Sequence, residues 1–263
     1  MTRPLIIGDL VAKIPVVQGG MGVGVSLSNL AGAVAKAGGI GIISTAQIGY
    51  QMEEYDNDAQ NCNLIAIADE IAKAKRIAEG GIVGVNIMVA TTDYENVEAA
   101  VKAKADIIIS GAGLPMDLPG YVEGSNTKIA PIVSSKKATM VIVRQWMRKY
   151  NKLPDMVVIE GPLAGGHLGF SREEIDNYKK ESYDQEIKSI IDYINEISIE
   201  NNVTIPVVVA GGIFDRNDME HYLAMGAGGV QIASRFVATE ECDASLKYKE
   251  AYIAAKKEDI IIV

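Results

Sequence analysis

Cysteine and histidine are scarce in this chain, which has two of each among its 263 residues. Cys62 and Cys242 stand far apart in the sequence and lack the close spacing of metal-binding cysteines. This usage excludes a disulfide framework and favours two reduced thiols in a cytoplasmic protein. Because the chain also lacks clustered histidines and carboxylates, we expect no metal site.

Basic residues are outnumbered as well, since 25 Lys and Arg stand against 34 Asp and Glu and give a formal net charge of −9. Nucleic-acid-binding proteins usually carry a basic patch, so this balance argues against a nucleic-acid partner. No apolar run approaches the roughly 20 residues that a membrane-spanning helix needs. Asp9 and Lys13 interrupt the apolar start of the chain, which makes it a poor signal peptide.

What the chain does contain is a regular alternation of short apolar runs and longer helical stretches. The runs are continuously apolar, as expected for parallel strands that are buried on both faces. Eight such strands with helices between them predict a (β/α)₈ TIM barrel, with residues 1–263 as one domain. A doubly wound sheet is the alternative, but its Gly-x-Gly-x-x-Gly turn is absent. The predicted strands are 15–18, 40–43, 82–87, 106–110, 129–133, 156–160, 206–210 and 229–232.

The helical stretches and the loops between them complete the predicted barrel. Ser28 and Asp215 are candidate N-caps, and Gly38-Gly39 is a candidate helix stop. Long loops follow strand two (44–63) and strand six (163–184), and both are candidate lids at the carboxyl face, although the first could equally be a surface loop. The predicted helices are 28–37, 64–79, 94–104, 136–150, 185–200, 216–225 and 246–256.

The residues that end the strands should converge on one pocket at the carboxyl face of the barrel. They are rich in glycines, amides and hydroxyls, which suits a flat hydrogen-bonding cofactor with a phosphate tail. Gly211, Gly212 and Ser234 follow strands seven and eight, where barrels often bind phosphate. The amides of Gln18 and Asn86 could pair with a flavin or a nucleotide base; the alternative is that loop backbone satisfies them.

His167 is the strongest candidate for catalysis. It lies in the glycine-rich run Ala164-Gly-Gly-His-Leu-Gly169 just after strand six, and imidazole is suited to moving protons near neutral pH. The glycines would let a flat ligand approach closely. The alternative is a turn histidine that bonds a neighbouring carbonyl. His221 lies in a helix pattern that faces solvent and is interpreted as a surface residue.

The chain resembles a known family, the nitronate monooxygenases or 2-nitropropane dioxygenases. The similarity runs from residue 15 to about 257, and enoyl-acyl-carrier-protein reductase II shares the same signatures. The motifs that carry it are Pro15-Val-Val-Gln-Gly-Gly-Met-Gly22, Val85-Asn-Ile-Met88, Ser110-Gly-Ala-Gly113, Ala164-Gly-Gly-His-Leu-Gly169, Ala210-Gly-Gly-Ile213 and Gln231-Ile-Ala-Ser-Arg-Phe236.

The resemblance implies an FMN-binding barrel, with His167 facing the substrate over the flavin. The residues that would line the isoalloxazine ring are Gln18, Gly20, Met21, Gly22 and Asn86. Those that would hold the ribityl phosphate are Gly211, Gly212, Gln231, Ala233 and Ser234. Ser134 and Glu160 would sit beside the flavin, and the motif residues Ser110, Gly111, Gly165 and Gly166 complete the expected cofactor site.

The implied reaction is oxidation of alkyl nitronates by O₂, with His167 as the acid or base that binds the substrate. The alternatives are an NAD(P)H-dependent enoyl-acyl-carrier-protein reductase and a flavin-binding module with little catalysis. Two motifs depart from the family pattern: Leu163 replaces a glutamate, and Ala233-Ser234 replaces Gly-Thr. The family's segment after the last barrel helix is expected to be missing. We expect a small-molecule substrate and O₂ as partners. The sequence is also compatible with a homodimer.

Overall fold

The computed structural model describes residues 3–89 and 94–262. A short antiparallel hairpin comes first, and eight parallel strands then close into a barrel in which β10 pairs with β3. The (β/α)₈ prediction is therefore confirmed. The strands are β1 (Leu5–Ile7), β2 (Leu10–Ala12), β3 (Val16–Gln18), β4 (Ile40–Ser44), β5 (Ile82–Met88), β6 (Ile107–Gly111), β7 (Lys128–Val133), β8 (Val157–Glu160), β9 (Val207–Ala210) and β10 (Gly229–Ile232).

All eight predicted barrel strands are present, with ends that differ by one residue or not at all. All five residues of β4 are buried, as the continuous apolar pattern predicted for a strand covered on both faces. The sequence analysis missed the β1–β2 hairpin. Leu5, Ile7 and Ala12 of this hairpin belong to the apolar cluster of the barrel interior, so the hairpin closes the amino-terminal end and leaves the carboxyl end for a site.

The predicted helices are also found, and α2 and α7 begin at Ala59 and Lys180 rather than at 64 and 185. The loop after β4 therefore runs only over 45–58, and the segment 161–179 after β8 contains a further short helix at Arg172–Asp176. None of the helices in the described part of the chain is long and apolar enough to span a membrane. The helices are α1 (Ser28–Lys36), α2 (Ala59–Ala78), α3 (Glu95–Lys102), α4 (Leu118–Tyr121), α5 (Lys136–Tyr150), α6 (Arg172–Asp176), α7 (Lys180–Glu200), α8 (Arg216–Ala224), α9 (Ser234–Val237) and α10 (Leu246–Ala254).

The start of α1 corrects one prediction, because Ser28 is not its N-cap. Leu27 occupies that position and has no capping side chain. A remote carboxylate replaces the local cap: Asp243 accepts the backbone N–H groups of Leu27 at 2.8 Å and Leu30 at 3.2 Å. Glu70 on α2 accepts the N–H of Ser28 at 2.9 Å. The free donors of a helix start can be satisfied by any nearby acceptor, and here tertiary contacts supply it.

Two other predicted helix signals are confirmed. Asp215 caps α8 and forms a reciprocal capping box with Asp218. Gly38 ends α1 with φ +98°, and its N–H bonds the carbonyl of Ala35 at 3.0 Å while Gly39 bonds Val34 at 3.1 Å. This pair of bonds is a Schellman motif, in which a glycine adopts the left-handed conformation at low cost.

A glycine in β4 determines how closely α1 packs on the barrel. A Cβ atom placed on Gly41 would lie only 1.8 Å from the backbone oxygen of Ala31. A Cβ on Gly81 would lie 2.2 Å from the oxygen of Ala35, one turn further along α1. The helix backbone therefore lies directly against β4 and the start of β5, with no side chain between them.

Candidate active site

The residues predicted for the site lie at the carboxyl ends of the barrel strands or on the loops that follow them. This is the face on which barrels of this type build their active sites. A cleft of about 430 Å³ opens there between the loops after β6, β7 and β8. Its polar side chains are Ser134, Glu160 and His167, and the rest of its lining is Ala112, Gly113, Leu114, Ile132, Val133, Ala138, Leu168 and Gly169.

His167 lies on the loop after β8, with its side chain exposed at the rim of this cleft. Its ring makes no hydrogen bond within residues 3–89 and 94–262, so the turn histidine bonded to a carbonyl is not what the structure contains. A Cβ atom on the preceding Gly165 or Gly166 would meet nothing within 4 Å, and Gly166 has φ +87°. The imidazole is thus free to contact a ligand in the cleft.

Glu160 ends β8 and faces the same cleft. Its carboxyl group has no hydrogen-bond or ion-pair partner among the residues that the structure describes. Burial without a compensating cation raises the pKa of Glu160 to about 7. A carboxyl group with such a pKa can exchange a proton with a ligand near neutral pH.

Tyr183 on α7 holds the backbone behind these two polar groups, and the sequence analysis did not identify it. Its hydroxyl lies 3.1 Å from the carbonyl oxygen of Glu160 and 3.3 Å from that of Ser134, and it donates to both. The ring packs against Gly161, where a Cβ atom would lie 2.8 Å from Tyr183 Cε1. Position 183 fell inside a predicted loop, so no local pattern indicated this contact.

Replacing Tyr183 by Phe should destabilise the protein by about 1 kcal/mol, the typical net value of one such hydrogen bond. Both carbonyls would lose the hydroxyl that joins the ends of β7 and β8. Thermal unfolding of Tyr183→Phe measures this loss, with Tyr178→Phe as the matched control. The ring of Tyr178 contacts that of Tyr183 edge-on at 6.4 Å, yet its hydroxyl bonds no residue in the described ranges. Equal stability of the two variants would show that the hydroxyl contributes nothing.

The two candidate amides at the mouth differ in what they bond. Gln18 is fully buried; its Nε2 donates to Ser26 Oγ at 3.1 Å, and its Oε1 accepts the N–H of Ile42 at 3.0 Å. Gln18 therefore follows the structural alternative and orders the loop after β3. The side chain of Asn86 is half-buried and bonds nothing in the part of the chain described here. Its amide remains available to a ligand.

Glycines bring the loop after β3 close to its neighbours. A Cβ on Gly20 would lie 2.5 Å from Asn86 Cβ, and one on Gly22 would lie 2.8 Å from Ala46 Cβ. Next to them, a Cβ on Gly19 would lie 3.3 Å from Gln231 Cγ. The loop after β3, the end of β5 and the end of β10 thus meet at one side of the mouth. The hydroxyl of Ser110, in contrast, is buried and donates to the carbonyl of Ile87 on the neighbouring strand.

The loops after β9 and β10 form the neighbouring part of the mouth, because β10 pairs with both β3 and β9. Gly211 and Gly212 have φ +100° and +71°, the left-handed region that glycine tolerates best. A Cβ on Gly212 would lie 2.9 Å from Leu163 Cδ1, so the departure at position 163 packs directly on this loop. Ser234 Oγ accepts a hydrogen bond from Tyr252 at 3.0 Å and keeps its own hydrogen to donate.

His221 lies apart from this site, on α8. It is exposed, as predicted, and its Nε2 lies 2.9 Å from Asp184 Oδ2 and 2.8 Å from Lys180 Nζ. In the described residues, no group of three or more His, Cys, Asp or Glu side chains is arranged to hold a metal ion.

Comparison with known proteins identifies the chain's family. A sequence model of the family described as nitronate monooxygenase matches residues 3–263, nearly the whole chain. The chain belongs to the nitronate monooxygenase family. Members of this family are flavin-dependent oxidoreductases.

Relatives of this family member carry several names. A Rhodococcus jostii (3aS,4S,5R,7aS)-5-hydroxy-7a-methyl-1-oxo-octahydro-1H-indene-4-carboxyl-CoA dehydrogenase is 24% identical over 94% of the chain, which spans 59% of that relative. A probable nitronate monooxygenase of Staphylococcus saprophyticus is 23% identical, with 98% of the chain and 74% of the relative covered. The structure of FabK, an enoyl-ACP reductase II from Thermotoga maritima, has 27% identity and a TM-score of 0.67, covering 92% of the chain and 65% of FabK.

The residues at the mouth of this family member fit a flavin with a phosphate tail. The side-chain amide of Asn86 has no partner among the described residues and is available to the edge of a flavin ring. The glycines around it keep the mouth free of side chains. On the loops after β9 and β10, the backbone N–H groups of the left-handed Gly211 and Gly212 and the hydroxyl of Ser234 can donate hydrogen bonds to phosphate oxygens. The donor set therefore agrees with the cofactor class of the family.

Proposed function

We propose that this protein is an FMN-dependent oxidoreductase that oxidises alkyl nitronates with O₂. The observation that carries the proposal is the cleft at the carboxyl face. In it a free imidazole, an unpaired carboxyl group and the hydroxyl of Ser134 face a cavity whose other side chains are apolar, beside loops suited to a flavin. Such a cavity fits a small alkyl substrate with one polar end.

The residues proposed to hold FMN fall into two groups. Asn86 and the loop that carries Gly20, Met21 and Gly22 would hold the ring, and Gln18 would order that loop from below. The phosphate would lie against Gly211 and Gly212, together with Gln231, Ala233 and Ser234. When bound, FMN supplies a two-electron acceptor that O₂ can reoxidise.

The side chains of the cleft would bind and orient the substrate. The apolar walls, including Leu114 and Leu168, would pack on the alkyl group and exclude water. Protonated His167 would donate a hydrogen bond to a nitro oxygen, or neutral His167 would take the α-proton if the nitroalkane binds in its neutral form. Ser134, which also lines the cleft, would offer a second donor through its hydroxyl.

The second candidate is an NAD(P)H-dependent enoyl-acyl-carrier-protein reductase, with His167 near the thioester. The likeness to FabK across 92% of the chain favours it. The remaining alternative is a flavin-binding module with little catalysis. The observation that favours it is that Leu163, which replaces a glutamate of the family, packs on Gly212.

Anaerobic mixing distinguishes these three functions. We expect purified, flavin-containing protein to lose its flavin absorbance on addition of an alkyl nitronate, and to recover it when O₂ is admitted. Loss of absorbance with NADPH but not with the nitronate would instead establish the reductase. If neither compound bleaches the flavin, the module without catalysis is correct. Protein that binds no FMN at all would refute the whole proposal.

A further inference from the structure

The cleft has a carboxyl group but no cation to balance it. None of its eleven lining residues is Lys or Arg, and His167 is the one basic side chain among them. Eight of the lining residues offer only apolar side chains or backbone: Ala112, Gly113, Leu114, Ile132, Val133, Ala138, Leu168 and Gly169. Any charge that forms on Glu160 is therefore felt by whatever ligand occupies the cavity.

Among the residues that the structure describes, the elements packed around Glu160 place no cation beside its carboxyl group. On α7, Tyr183 donates its hydroxyl to the carbonyl oxygen of Glu160 rather than to its carboxyl group. Burial raises the pKa of that phenol, so it stays neutral. Glu186, also on α7, is engaged with the N–H of Lys136 at 2.6 Å. Lys136 and Lys137, at the start of α5, form no ion pair with Glu160, and β9 ends beside it in Ala210.

We propose that Glu160 decides which charge state of a ligand the cleft accepts. In its protonated form the carboxyl group can donate a hydrogen bond to an oxygen of an anionic ligand. In its ionised form it repels that anion, while an uncharged ligand of the same shape still fits. This proposal depends on the proposed function in one respect: it takes this cleft as the substrate site.

The raised proton affinity of Glu160 places this change near neutral pH. With a pKa of about 7, roughly 3% of the carboxyl groups remain protonated at pH 8.5, so an anion that needs the protonated form should bind about 30-fold more weakly there than at low pH. The effect of Glu160 is read by comparing variants at one pH.

The test uses two ligands that differ in charge but hardly in shape, butyrate and butyramide. Their affinities for flavin-containing wild-type protein and Glu160→Gln are measured by calorimetric titration at pH 6 and pH 8.5. At pH 8.5 we expect Glu160→Gln to bind butyrate at least about 10-fold more tightly than wild type, and at pH 6 the two should agree within about threefold. Butyramide should bind both proteins equally at both values. Glu186→Gln removes a nearby charge outside the cleft and should behave as wild type.

The proposal is overturned if Glu160→Gln binds butyrate no more tightly than wild type at pH 8.5, or if wild type fails to bind butyrate at pH 6. A ligand-free measurement is also decisive. Since the pKa is raised in the folded state, wild type should lose stability relative to Glu160→Gln as pH rises from about 4.5 through 7. Equal melting temperatures at pH 8.5 would contradict the proposal. None of these outcomes depends on nitronate turnover, so the two proposals can fail separately.

Discussion

Replacement of His167 by Asn is expected to lower nitronate turnover by about 10²–10⁴-fold, the range that a positioned acid or base usually contributes. The imidazole lies at the rim of the cleft and is committed to no protein partner in the described residues. Asparagine keeps a hydrogen-bond donor but can neither carry the positive charge nor accept the α-proton. Flavin content should not change, because the residues proposed to hold the flavin ring and its phosphate lie on β5, on β10 and on the loops after β3, β9 and β10.

The matched control is His221→Asn, which changes the other histidine of the chain. His221 pairs with Asp184 on the helix layer outside the cleft, so its replacement should leave turnover unchanged. Oxygen consumption with saturating nitronate and the flavin absorbance of the purified proteins measure both effects. Activity of His167→Asn within threefold of wild type would remove this residue from the mechanism.

Replacement of Gly41 by Ala should be among the most damaging single changes in the barrel, costing about 3 kcal/mol or more. The added Cβ would lie 1.8 Å from the oxygen, 2.5 Å from the carbonyl carbon and 2.8 Å from the Cα of Ala31. All three are backbone atoms, so no side-chain rotation relieves the contact. Either α1 must move off the barrel or β4 must shift within its sheet.

Denaturant unfolding of Gly41→Ala measures the cost as a lower midpoint at unchanged slope. Gly165→Ala provides the comparison, since a Cβ at that position meets nothing within 4 Å. Its unfolding midpoint should match that of wild type. A Gly41→Ala protein as stable as Gly165→Ala would show that α1 can be displaced from β4 cheaply.

The barrel could be predicted from sequence because its strands are buried on both faces. Each is a run of apolar residues that stands out from its amphipathic neighbours, as in β4 and β9. The β1–β2 hairpin lacks that signal: its strands have three residues each, and Ile6 and Val11 point to solvent at 48% and 54% exposure. The four-residue helix α4 was missed for the same reason, since it completes barely one turn.

The positions of the site residues could be predicted because strand order alone places them at one face. Their hydrogen-bond partners could not. Gln18 and Asn86 both end apolar strands, yet the first is bonded on both sides of its amide and the second is free. That difference depends on Ser26 and Ile42, which reach Gln18 only when the loop after β3 and the neighbouring strand β4 are folded against it. The raised pKa of Glu160 likewise follows from its burial without a cation or hydrogen-bond partner among the described residues, which only the folded structure shows.

The contact between Asp243 and the start of α1 has a consequence for how the protein is made. Leu27 and Asp243 are separated by 216 positions, so α1 emerges from the ribosome long before its cap is synthesised. Cys242 and Val237 pack on Val25 in the same region. The loop that carries Gly20 and Gly22 therefore reaches its final order only after the last barrel strand has been translated. Binding of FMN at the proposed site would therefore follow closure of the nascent barrel.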